Sequence, residues 1–143
     1  MKIPMTGEET FSPAALKGQR YVLYFYPRDN TPGCTTEAKE FSAAAKKFAK
    51  LGWKIFGVSN DKLTAHDKFR AKAGINFPLV SDTEAELSKE FDVMKMKSLY
   101  GKKFRGIERS TFLIDEKGKI LKEWRKVKVT GHVAEVLAAV AAL

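Results

Sequence analysis

Apolar residues run unbroken through Tyr21-Val22-Leu23-Tyr24-Phe25-Tyr26. The run is too short for a buried helix and rich in aromatic and β-branched side chains, so Arg20 to Tyr26 is predicted as a central strand. The period then changes. Ala38, Phe41, Ala45, Phe48 and Ala49 recur at helical spacing, with Lys46, Lys47 and Lys50 turned outward, which predicts an amphipathic helix over 35–50 closed by Leu51-Gly52. Trp53 to Val58 reads as a second strand, Ser59-Asn60-Asp61 as a loop at its end, and Leu63 to Ala73 as a helix stopped by Gly74. Phe77-Pro78-Leu79-Val80 predicts a short strand, and Thr83 to Phe91 a short helix capped by Ser81 or Asp82. Residues 92–108, rich in Lys, Gly and Met, show no such pattern and are expected to form a long irregular functional loop. Ser110 to Asp115 is a further buried strand, Glu116 to Lys119 a hairpin turn, Ile120 to Arg125 the returning strand, and 132–143 a closing helix.

Strand–helix alternation followed by a hairpin predicts an α/β fold with a parallel-dominated sheet and helices on both faces. Functional loops of such sheets gather at the carboxyl ends of the parallel strands, where the loop after Tyr26 lies. The 143 residues are read as one domain, 1–143, with 44% hydrophobic and 30% charged positions, ordinary for a globular protein. No apolar signal core opens the chain and no stretch reaches a membrane span, so a cytoplasmic protein with no membrane partner is expected. The net charge of +9 raises a nucleic-acid hypothesis. Its Lys and Arg are spread along helices and loops, often beside Glu or Asp, and no nucleic-acid motif is present. A solvated basic surface without a specific nucleic-acid partner is therefore the expectation.

The chemistry concentrates at the only cysteine, Cys34. It lies where the predicted strand hands over to the helix, after the turn pair Pro32-Gly33. Unpaired N–H groups of a first helical turn face such a position and favour a thiolate, the reactive form. A free cysteine is commonly an inert buried hydrophobe. Against that, the turn chemistry and the polar Thr35, Thr36 and Glu37 predict a thiol presented at a surface pocket. A single cysteine builds no internal disulfide and fits a reducing compartment.

Pro27-x-x-x-Thr31-x-x-Cys34 resembles the peroxiredoxin active-site motif, and the string YFYPRDNTPGCTTEAKEF resembles the peroxiredoxin Q, or bacterioferritin comigratory protein, subgroup. Gly57-Val58-Ser59, Phe77-Pro78-Leu79-Val80-Ser81-Asp82 and Gly106 to Asp115 match further segments in the subgroup's order, and together the resemblance covers residues 16–143. It implies a thioredoxin-like fold, a central mixed sheet flanked by helices, and an antioxidant peroxidase that reduces hydrogen peroxide and organic hydroperoxides without a cofactor or metal. Cys34 would be the attacking thiolate and become a sulfenic acid. Arg109 would stabilise the thiolate and the developing charge, and Thr31 would accept a hydrogen bond from the peroxide. Pro27 would wall the pocket, the Gly33 and Cys34 N–H groups would donate to the oxygens, and Glu37 would orient Arg109.

The resemblance is incomplete at two places. The resolving cysteine that many members carry five positions after the first is replaced by Lys39, and the segment 83–91 has none. A one-cysteine form is implied, dependent on an external thiol (thioredoxin, glutaredoxin or a small thiol), as a monomer or weak dimer. Met5 to Phe11 matches the family's opening segment poorly, so a shortened N-terminal hairpin is expected. Taken singly, Thr31 also reads as a turn or cap, Arg109 as a surface cation, Pro27 as a turn-setter, Glu37 as structural, and His66 and His132 as helix-surface residues outside any metal spacing. Two other readings stand beside the enzyme: a binding or chaperone-like protein on the same scaffold, and a basic nucleic-acid-associated protein.

Overall fold

The computed structural model describes residues 1–143. In chain order the elements are β1 (Ile3–Met5), β2 (Glu9–Phe11), β3 (Arg20–Phe25), α1 (Pro32–Lys50), β4 (Trp53–Ser59), α2 (Leu63–Ala73), β5 (Leu79–Ser81), α3 (Glu86–Glu90), β6 (Met94–Leu99), β7 (Lys102–Ile107), β8 (Ser110–Ile114), β9 (Ile120–Trp124) and α4 (His132–Ala141). Seven strands form one mixed sheet in the order β2-β1-β5-β4-β3-β8-β9. Only β3, β4 and β5 are parallel; β1, β2, β8 and β9 add antiparallel edges. The expected parallel dominance therefore holds for the centre alone, because both hairpins extend the sheet outward.

The sheet separates two apolar layers. On one face Val22, Tyr24 and Tyr26 pack with Cys34, Ala38 and Phe41 of α1, Phe69 of α2 and Val136 of α4. Tyr24 stacks on Phe41 with ring centroids 4.6 Å apart, a contact worth about 0.5–1.5 kcal/mol beyond its buried area. On the other face Leu23 and Phe25 meet Phe11, Leu87, Val93 and Ile107. The alternation of β3 between these layers is the reason its apolar run is unbroken.

Four expectations are corrected. Residues 92–108 are not irregular: β6 and β7 pair from Met94↔Ile107 to Leu99↔Lys102 as a separate two-stranded ribbon. Its side chains are largely exposed on both faces, so no buried alternation marks it. The helix expected over 83–91 is only α3, held by the Asp82 carboxylate, which accepts from the Leu87 and Ser88 N–H groups. The first helix begins at Pro32, three residues early, since proline at a first helical position sacrifices no hydrogen bond. His66 and His132 are buried rather than on helix surfaces. The N-terminal hairpin is short but complete, with Ile3, Met5 and Phe11 in the core.

Candidate active site

β3 delivers the chain to the carboxyl end of the sheet, where Thr31 takes an extended backbone conformation and starts α1. Thr35 makes the first backbone bond of the helix, to Thr31 O at 2.8 Å, so the Gly33 and Cys34 N–H groups have no intrahelical partner. Cys34 lies in this first turn. It is only 2% exposed, so the expectation of a thiol open at the surface is corrected: the first turn packs against the core beside Ala38 and Phe41.

The register of β8 on β3 pairs Ser110 with Phe25, which sets Arg109 beside the end of β3 and over the first turn of α1. Its Nη2 donates to Cys34 Sγ at 3.4 Å and its Nη1 to Glu37 Oε1 at 2.6 Å. A Cβ at position 33 would stand 3.2 Å from Nη2, so glycine there gives the guanidinium room. The Arg109 carbonyl accepts from Val127 N–H, fixing the backbone. Glu37, three residues after Cys34 on the same helix face, is fully buried, and its Oε2 has no partner.

Burial pushes the Glu37 carboxyl up, Arg109 offsets part of this, and the result is about 7. Partial burial works against the Arg109 cation, but Glu37 and Cys34 outweigh it, so its pKa is raised and it stays charged. The pair is thus unequal: the guanidinium is cationic throughout, while the carboxyl gains or loses its proton near neutrality.

The Thr31 hydroxyl donates to Arg28 O at 2.8 Å, which leaves its lone pairs free to accept. Pro27 is exposed at the end of β3. Of the residues singled out from sequence, the structure thus brings Cys34, Glu37 and Arg109 into direct contact, with Thr31 and Gly33 on the same turn.

Two features were missed. Tyr24 is buried behind the site with an unpartnered hydroxyl, and its pKa is raised well above the usual value by burial and then by Glu37 and Cys34. The second is a buried network under the loop. His66 sets Nδ1 against Asp29 Oδ2 at 2.6 Å and Nε2 against Val80 O at 2.9 Å, Tyr26 donates to Asp29 Oδ1, and Asp61 Oδ2 accepts from Asp29 N–H and Ser59. Asp29, Asp61 and His66 cluster closely enough for a cation. Both ring nitrogens and three carboxylate oxygens are already committed to these bonds, so the cluster works as a clasp that ties the loop to β4, α2 and β5. A signal was present: His66, Phe69 and Ala73 share one helical stripe.

Residues 1–123 match the AhpC/TSA family. The chain is 53% identical over 129 residues to the peroxiredoxin Bcp of Bacillus subtilis, covering 90% of this chain and 82% of the relative. It is 49% identical over 142 residues to that of Xanthomonas campestris, covering 99% and 89%. The fold is similar to that of the Xanthomonas campestris bacterioferritin comigratory protein solved in trapped-intermediate and ligand complexes for its alkyl peroxide reduction activity. That comparison has a TM-score of 0.94 and 48% identity, over 99% of this chain and 90% of the other.

Proposed function

This chain belongs to the AhpC/TSA family as a peroxiredoxin of the Q/Bcp kind and is a thiol-dependent peroxidase; from that premise we propose how its residues divide the reaction. The Cys34 thiolate attacks one oxygen of a hydroperoxide, a sulfur–oxygen bond forms, the O–O bond breaks, and the second oxygen leaves as water or an alcohol after taking a proton. The sulfur is oxidised by two electrons to a sulfenic acid. An external thiol then displaces water to give a mixed disulfide, and a second thiol releases the reduced Cys34. Residues 1–143 act as one domain, with no cofactor.

The observation that carries this reading is the Arg109 fork, one arm on Cys34 Sγ and the other on buried Glu37. A donor already aimed at the sulfur holds the thiolate and meets charge spreading onto the oxygens without reorganisation. Thr31 accepts from the peroxide and aligns it, the free Gly33 and Cys34 N–H groups donate to its oxygens, Glu37 orients Arg109, and Pro27 borders the entrance. No second cysteine exists in the chain to resolve the sulfenic acid, which supports thioredoxin, glutaredoxin or a small thiol as reductant. A lone unpaired thiol supports a cytoplasmic location, and a monomer or weak dimer is the assembly proposed. The intact fork gives no support to a purely non-catalytic binding role.

The test is intact-mass spectrometry after one equivalent of hydrogen peroxide with a sulfenic-acid trap. Wild type is expected to add one trap molecule rapidly and Cys34→Ser none. Thr31→Val is expected to slow the step about 10²-fold through lost alignment, and Arg109→Ala about 10²–10³-fold through lost charge stabilisation. Full peroxidase activity in Cys34→Ser, or wild-type oxidation as slow as that of an ordinary free thiol, would overturn the assignment.

A further inference from the structure

The β6–β7 ribbon has a composition unlike the rest of the molecule. From Met94 to Ile107 it carries Lys95, Lys97, Lys102, Lys103 and Arg105 and no Asp or Glu, five positive charges in a chain whose net charge is +9. The same segment exposes Met96 (63%), Leu99 (57%), Tyr100 (96%) and Phe104 (44%), four of the nine large hydrophobic side chains that the whole molecule leaves open. Tyr100 and Gly101 both have positive φ, 51° and 78°, which makes the tight turn that sets Tyr100 at the tip.

The cross-strand register distributes these residues over both faces. Met96 stands opposite Arg105 on one face, while Lys97 pairs with Phe104 and Leu99 with Lys102 on the other. A protein partner laid against one face would leave apolar and basic side chains exposed on the opposite one. Single-stranded nucleic acid would find stacking surfaces only at Tyr100 and Phe104, with Met96 and Leu99 idle. An anionic phospholipid surface entered tip first surrounds the end of the ribbon and uses both faces at once. Apolar tip residues with a tyrosine suit the headgroup–acyl boundary, and lysines and arginine behind them suit lipid phosphates.

We propose that the β6–β7 ribbon docks this protein peripherally on anionic phospholipid membranes, with Leu99 and Tyr100 inserted and Lys102, Lys103 and Arg105 on the phosphates. The contact is a surface one: no helix of the chain is long and apolar enough to cross a membrane. The expectation of no membrane partner came from the lack of a spanning segment and did not address a folded ribbon. The ribbon ends at Ile107, two residues before Arg109, so a docked ribbon is tethered directly to the site.

The test is co-sedimentation of the full chain with vesicles of mixed phosphatidylglycerol and phosphatidylcholine, against pure phosphatidylcholine and against a single-stranded oligonucleotide. Binding is expected to the mixed vesicles only. Lys102→Gln with Lys103→Gln is expected to weaken it about 25-fold, at about fivefold per lysine. Leu99→Ser with Tyr100→Ser is expected to weaken it about tenfold or more through lost apolar insertion. Circular dichroism and the rate with hydrogen peroxide in solution check that both variants keep the fold. Failure of wild type to bind the mixed vesicles overturns the proposal. So does binding that survives Leu99→Ser with Tyr100→Ser unchanged, and so does equal binding to the oligonucleotide, which would mark a general polyanion effect.

Discussion

Glu37→Gln isolates what burial of a carboxyl beside the reactive thiol does to the fold. The carboxyl is fully buried and its pKa is raised from 4.5 to about 7. A folded-state value above the unfolded one means that the native state holds the extra proton. The resulting stabilisation is fully present below pH 4.5 and is lost as the pH rises through 7. This is the reverse of an ordinary salt-bridged carboxylate. Raising the carboxyl from 4.5 to about 7 is worth about 3 kcal/mol in full, most of which falls between pH 5 and pH 8. Glutamine keeps an oxygen for Arg109 Nη1 and cannot titrate. Urea denaturation of wild type and Glu37→Gln across this range reads the difference directly. Wild type is expected to lose about 2 to 3 kcal/mol relative to the variant as the pH climbs, most steeply between 4.5 and 7 and levelling off above 7. A difference that stays flat, or that grows in favour of wild type with rising pH, would show that Arg109 and not burial governs the carboxyl.

Two further outcomes follow from the packing. His66→Leu leaves Asp29 Oδ2 and Val80 O without their buried partner and is expected to cost about 3–5 kcal/mol in urea denaturation; a loss under about 1 kcal/mol would mean that water or Tyr26 replaces the ring without difficulty. At Gly57 an added Cβ would stand 2.9 Å from both Leu79 Cδ2 and Tyr24 Oη, so Gly57→Ala is expected to destabilise by about 1–3 kcal/mol through overpacking, and an unchanged melting temperature would refute the tight contact.

The strand–turn–helix frame around Cys34 was legible because each piece is written locally. β3 is an unbroken apolar run, Pro32-Gly33 is turn chemistry, and Phe41 and Phe48 mark the inward stripe of α1. Glu37 taken locally reads as a polar first-turn residue, although Cys34, Ala38 and Phe41 at neighbouring helical spacings place it inside that stripe. A charge inside an apolar stripe signals a buried partner, and no local pattern says which one. Arg109 is that partner from 72 positions away, and what brings it there is the pairing of Ser110 with Phe25. Register of this kind depends on how whole strands fit against a common core, and so only the family resemblance pointed to it. His66 follows the same logic, its acceptors coming from a loop and a strand on either side of it. The β6–β7 ribbon escaped for the opposite reason. Period-two alternation becomes visible when one face is buried, and here basic and apolar side chains lie open on both. A segment that forms a regular element without burying a face leaves its apolar residues without a structural use, and their exposure is what turns attention from the core to a partner.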